Sequence, residues 1–123
     1  MLQKNNAMNS KIEEKKKYLL HWMYDFIEDD DEPAYTNGDV LACDQVLTAF
    51  INDVAASEER FNYSWVVAKV EGLVKSLNEM NLKHDNQLIE TNQREDLCAL
   101  IELVVLASGH AYKHDITEAW REW

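Results

Sequence analysis

A chain of 123 residues, 46% apolar with three glycines and one proline, holds one ordinary hydrophobic core and excludes both a disordered polymer and a turn-rich β-sandwich or barrel. Twelve Lys and Arg against twenty-three Asp and Glu give a formal charge of −11, and the imbalance begins at Tyr18, because residues 1–17 carry five lysines and only two glutamates. So acidic a body repels nucleic acid phosphates and anionic membranes, and it draws in basic proteins at rates that fall with salt.

Residues 1–9 (MLQKNNAMN) are polar and unpatterned, which predicts a flexible tail ahead of a single helical domain over residues 10–123. Ser10 followed by Glu13 has the form of a capping box. Ile12, Leu19, Leu20, Met23, Phe26 and Ile27 then recur at helical spacing, predicting a first helix over residues 10–28. Tyr18, His21 and Asp25 fall on its solvent side, with Trp22 and Tyr24 on the flanks. Pro33 and the Asn37-Gly38 pair break the chain. A second helix, capped by Asn37 or Asp39, carries Val40, Cys43, Leu47, Phe50, Ile51 and Val54 and ends near Ala56.

Ser57 and Asn62 are candidate caps ahead of a third helix. There Val66, Val70, Leu73, Leu77 and Met80 follow at spacings of four, three, four and three, with Val67 and Val74 widening the stripe. Tyr63 and Trp65 at its start are expected to pack. Residues 81–90 form a polar connection in which Leu88 and Ile89 dock. Thr91 or Asn92 opens a fourth helix whose run LCALIELVVLA is apolar almost all round, the mark of a central helix. Gly109 ends or bends it. Asp115 with Glu118 predicts a short C-terminal helix, ITEAWREW, on which Trp120 and Trp123 close the end of the core. The pattern as a whole predicts an all-α fold, a compact bundle of four to five helices.

Two cysteines, Cys43 and Cys98, lie inside apolar runs without CxxC spacing, and the expectation is two core thiols in a reducing compartment. The N-terminal residues lack an apolar signal core, and no apolar run approaches the ~20 residues of a membrane span, so the expected location is cytoplasmic. His110 and His114 are four apart, but a zinc site needs further ligands and Gly109 interrupts the helix beside them. The run of acids fails as an EF-hand: counted from Asp29, the sixth residue is Ala34 and the twelfth Val40, where glycine and glutamate are required. No GxSxG, phosphate-binding glycine loop or activated cysteine is present. The reading is therefore a non-enzyme without cofactor or dedicated metal.

The segment DFIEDDDEPAY carries five consecutive carboxylates, Glu28, Asp29, Asp30, Asp31 and Glu32, at the end of the first predicted helix. A helix C-terminus is partially negative, so each nearby carboxylate costs about 0.3–1 kcal/mol there. An external cation or basic partner relieves that cost, whereas a plain solvated loop leaves it standing. Trp22 and Tyr24 precede the run and Tyr35 follows it, and aromatic residues of this kind anchor protein interfaces.

With these features the chain resembles an immunity protein of the contact-dependent inhibition and other polymorphic toxin systems of bacteria. The resemblance is one of size, charge and helical character over the whole chain, with IEDDDEPAY its nearest local feature. It implies stoichiometric inhibition of a cognate toxin domain, commonly a basic nuclease, with no direct contact to nucleic acid or membrane. In that reading Glu28, Asp29, Asp30, Asp31 and Glu32, helped by Asp25, Asp39 and Asp44, pair with the toxin's lysines and arginines, and Tyr24 and Tyr35 are packed anchors. Two rivals stand beside it: a DNA-mimic inhibitor of a DNA-binding protein, and a metal-dependent helical hydrolase built on His110 and His114.

Overall fold

The computed structural model describes residues 2–123, with side chains from Asn9 onward. Four helices follow one another: α1 (Leu2–Asp29), α2 (Asn37–Ala56), α3 (Tyr63–Lys83) and α4 (Thr91–Ala107), with a single 3₁₀ turn at Glu58–Phe61 and no strand among the described residues. Helical backbone thus takes in Leu2–Asn9, where a tail was expected, while Met1 and the side chains before Asn9 lie outside the described residues. Ser10 and Glu13 sit within α1, not at its start.

The apolar periodicity sorts as expected over most of the chain. Ile12, Leu19, Leu20 and Met23 of α1 meet the stripes of α2 (Val40, Cys43, Leu47, Phe50, Ile51, Val54) and α3 (Val66, Val70, Leu73, Val74, Leu77) in one core. Leu97, Leu100, Ile101, Val104 and Val105 of α4 complete it. Side chains such as Leu19, Leu47, Leu77 and Leu100 are completely enclosed, and each contributes about 1.5–3 kcal/mol of burial. Neighbouring helices run in opposite senses. Lys15 of α1 reaches Asp96 of α4 (3.5 Å) and Lys16 reaches Asp44 of α2 (3.3 Å), while Ile12 shares a small cavity with Ile51, Val54 and Val104 further along those partners.

The caps explain the boundaries. Thr36, rather than Asn37 or Asp39, is the N-cap of α2, and Asp39 closes a capping box by accepting the Thr36 N–H at 2.8 Å. Ser57 caps the 3₁₀ turn and Asn62 caps α3 through the Trp65 N–H. Past α4, Gly109 adopts φ +90°, a left-handed conformation open to glycine at low cost.

The C-terminal segment is a correction. Residues 108–123 form turns, not a helix. Asp115 Oδ1 accepts the Thr117 N–H two residues on (2.9 Å), a local turn that competes with helical hydrogen bonding. Asn78 of α3 then holds the strap, donating to the Trp120 carbonyl at 2.8 Å and accepting the Glu122 N–H at 3.0 Å. Trp120 and Trp123 pack against the core as expected, from an irregular backbone. Trp65 also packs against it, but Tyr63 is exposed.

Candidate functional site

Because the helices alternate in direction, the α1–α2 and α3–α4 connections lie at the same end of the bundle. His84, the residue that closes α3, ties them together. Its Nδ1 is 3.2 Å from the Ala34 carbonyl oxygen, and its Nε2 is 3.3 Å from Asp39 Oδ1. Tyr35 fastens the first connection to α1 by donating its hydroxyl to the Met23 carbonyl at 3.4 Å. The second is organised by Asn81, 2% exposed, whose Oδ1 accepts the Ile89 N–H at 2.9 Å. Asp85 and Asn86 turn there through positive φ, and Leu88 and Ile89 are buried as their sequence suggested.

This end collects negative charge. Glu28, Asp29, Asp30, Asp31 and Glu32 are all exposed, and among the described residues none of the five has an ion pair. Asp30 Oδ1 accepts the Glu32 N–H at 3.0 Å, so the run bends on itself as it leaves the helix. The last turn of α1 holds no basic residue. Asp85 and Glu90 of the other connection are exposed at the same end.

Three residues expected to bind a partner have other work. Tyr35 is 5% exposed, so it belongs to the core rather than to an accessible surface. Burial, with Glu90 nearby, pushes its phenol up to about 12. Asp39 is committed to Thr36 and His84. Donation from the Thr36 N–H lowers its carboxyl below the ordinary range against the opposing effect of burial, with the Thr36 hydroxyl and His84 adding to the lowering. Asp44 pairs with Lys16 and accepts the Thr48 hydroxyl at 3.0 Å. Asp25 lies opposite His21, one turn back, at 3.3 Å, and Tyr24 is 36% exposed.

The aromatic partners of the run are different ones. Tyr18, Trp22 and Phe26, four apart along α1, are all exposed. The spacing assigned Phe26 to the core stripe, but α4 begins beside it with polar residues that give its ring nothing to bury against. These rings line a cleft of about 240 Å³ between α1 and the first turns of α4, whose other wall holds Asn92, Glu95 and Asp96. Trp22 meets Tyr18 edge-on at a centroid separation of 6.1 Å and His21 at 5.8 Å. The signal was present in the sequence as aromatics at i, i+4 and i+8, leading directly into the acids.

His110 Nε2 is 2.7 Å from the Arg60 carbonyl oxygen and its ring packs against Tyr63, whereas His114 is exposed. Among the described residues no three His, Cys, Asp or Glu converge as a metal site would require. Both cysteines are free thiols. Burial raises Cys43 to about 12 and also raises Cys98, whose Sγ lies 3.7 Å from the Thr117 hydroxyl. Neither is poised as a thiolate at neutral pH. No described helix is long and apolar enough to cross a membrane. Neither a protein-family model, nor a curated protein, nor a solved structure matches the chain.

Proposed function

We propose that this protein is an inhibitor of the immunity type, binding one copy of a basic toxin domain, of the nuclease class, through the acidic end of the bundle and the aromatic stripe that climbs from it. The observation that carries this reading is the continuity of the two features. Five exposed carboxylates, without ion pairs among the described residues, follow directly on three exposed rings of the same helix. Acids of this kind steer and orient a basic surface, while rings supply the contact area that holds it. A stability-driven sequence would place cations at this helix end, so the charge is better explained by a partner than by the fold. In this reading the protein is no enzyme: it covers the cleft with which the toxin grips phosphate.

The test is association kinetics with the toxin domain recovered on a tagged copy of the protein. Neutralising Asp29, Asp30 and Asp31 together to Asn should slow association and flatten its dependence on salt, with a smaller effect on dissociation. A triple variant that binds as fast as the parent, with an unchanged salt slope, removes this surface from the interface. Recovery of a DNA-binding regulator in place of a toxin turns the reading toward DNA mimicry.

A further inference from the structure

One cation of the chain already sits beside the cleft between α1 and α4. At one edge, Lys15 Nζ lies 5.3 Å from the centroid of the Tyr18 ring and 3.5 Å from Asp96 Oδ1, so a cation is held between a ring and a carboxylate. One turn along α1, Trp22 lines the same cleft, and so does Glu95, the residue before Asp96 on α4. Among the described residues no Lys or Arg lies over the Trp22 ring, and Glu95 has no ion pair. Two other tryptophans are served from within the chain: Lys69 lies over Trp65 and Arg121 over Trp123.

We propose that the Trp22–Glu95 part of this cleft is a receptor for a single arginine side chain of the partner, a proposal that rests on reading this face as one that meets a basic protein. Size and chemistry both select the occupant. The cleft, at about 240 Å³, is smaller than the ~300–1,000 Å³ typical of small-molecule sites, and suits one side chain. A guanidinium is planar, stacks on an indole and offers a fork of donors to a carboxylate, which an ammonium cannot match. Its charge meets Glu95 on the α4 wall, a full negative charge against the partial positive charge of that helix start. Lys15 then acts as a resident competitor at the neighbouring position, holding Tyr18 and Asp96.

The probe is a hexa-arginine peptide titrated into the full-length isotope-labelled protein, with hexa-lysine for comparison, read by NMR at the Trp22 indole N–H and at the backbone amides of residues 28–32. Saturable shifts at Trp22, stronger with arginine than with lysine, are expected. Trp22→Ala should weaken the binding about three- to tenfold, the range of a cation–π contact, and Glu95→Gln, a change at an exposed side chain, provides a second measure. Lys15→Gln should tighten binding about two- to fivefold beyond the equally charged change Lys17→Gln, the size of a partly exposed ion pair. Shifts confined to residues 28–32 with Trp22 unmoved overturn the receptor and leave the acidic face standing. Peptides that shift neither region overturn both. Equal effects of Lys15→Gln and Lys17→Gln also count against the receptor, because they reduce Lys15 to a diffuse charge.

Discussion

At the α3–α4 turn a single side chain amide stands in for the missing helical hydrogen bonds. Asn81 is enclosed, and its Oδ1 is the acceptor for the buried Ile89 N–H. Replacing it by leucine keeps similar bulk but leaves that donor without water or protein partner. Asn81→Leu should therefore cost about 1–3 kcal/mol, read as a lower urea midpoint with an unchanged slope. Charge acts at this scale too. Asp39 is held below its ordinary value of 3.8 by the Thr36 N–H, against burial. For Asp115 burial pushes the other way, yet the Thr117 hydroxyl and N–H, together with Arg121 at 3.0 Å, bring it below 3.8 as well. A carboxylate with a depressed folded-state value stabilises fully above its unfolded value, and that gain disappears as pH falls through the folded one. The stability gap between the parent and the Asp39→Asn/Asp115→Asn variant should be constant near neutrality and close on acidification below 3.8, as chemical denaturation at stepped pH will show.

Among the helices, α3 carries a glycine that its packing does not use. A Cβ built on Gly72 meets nothing within 4 Å, and the position faces the open groove between α2 and α3 beside Ala68 and Ser76. Gly72→Ala should stabilise the protein by about 0.5–1 kcal/mol through the lost freedom of the unfolded chain, measured by thermal or urea unfolding. The elements also show what could be read in advance. Stripes in α2 and α3 are legible because three- and four-residue spacings admit one buried face, and Asn62 is legible as a short acceptor ahead of the α3 stripe, while Ser57 caps the 3₁₀ turn before it. Ser10–Glu13 misled because the same pair occurs inside a helix whose preceding residues contain no breaker. ITEAWREW misled because so short a segment forms a helix only with strong support: isolated helices below about 12 residues are marginal, and here Asn78 and the Asp115 turn capture the backbone first.

At the scale of the whole molecule, the antiparallel order of helices brings two separate stretches of sequence into one acidic pole. The charge of residues 28–32 was legible as a run, but its meeting with Asp85, Glu90 and Glu95 depends on the bundle's topology, which periodicity does not specify. Tyr35 lies off the exposed surface for a related reason: adjacency in sequence to the acids suggests a shared surface, whereas its hydroxyl turns back to Met23. The exposed partner of the acids came from the opposite direction, up α1 through Phe26, Trp22 and Tyr18.

One consequence lies in α1 itself. Its charges run against its backbone dipole, with all of its lysines before Tyr18, acids at the finish and no cation in the final turn. The last amides of α1 should therefore open to solvent more readily than those of α3, whose last turn ends with Lys83. A cationic partner would hold that turn shut, so recognition and local ordering become one equilibrium. Hydrogen–deuterium exchange at Phe26–Asp29 should slow on binding and also slow, to a smaller degree, in high salt, while exchange in the middle of α3 stays unchanged. The terminus of the longest helix would then report occupancy directly, as a clasp that closes only when something is in it.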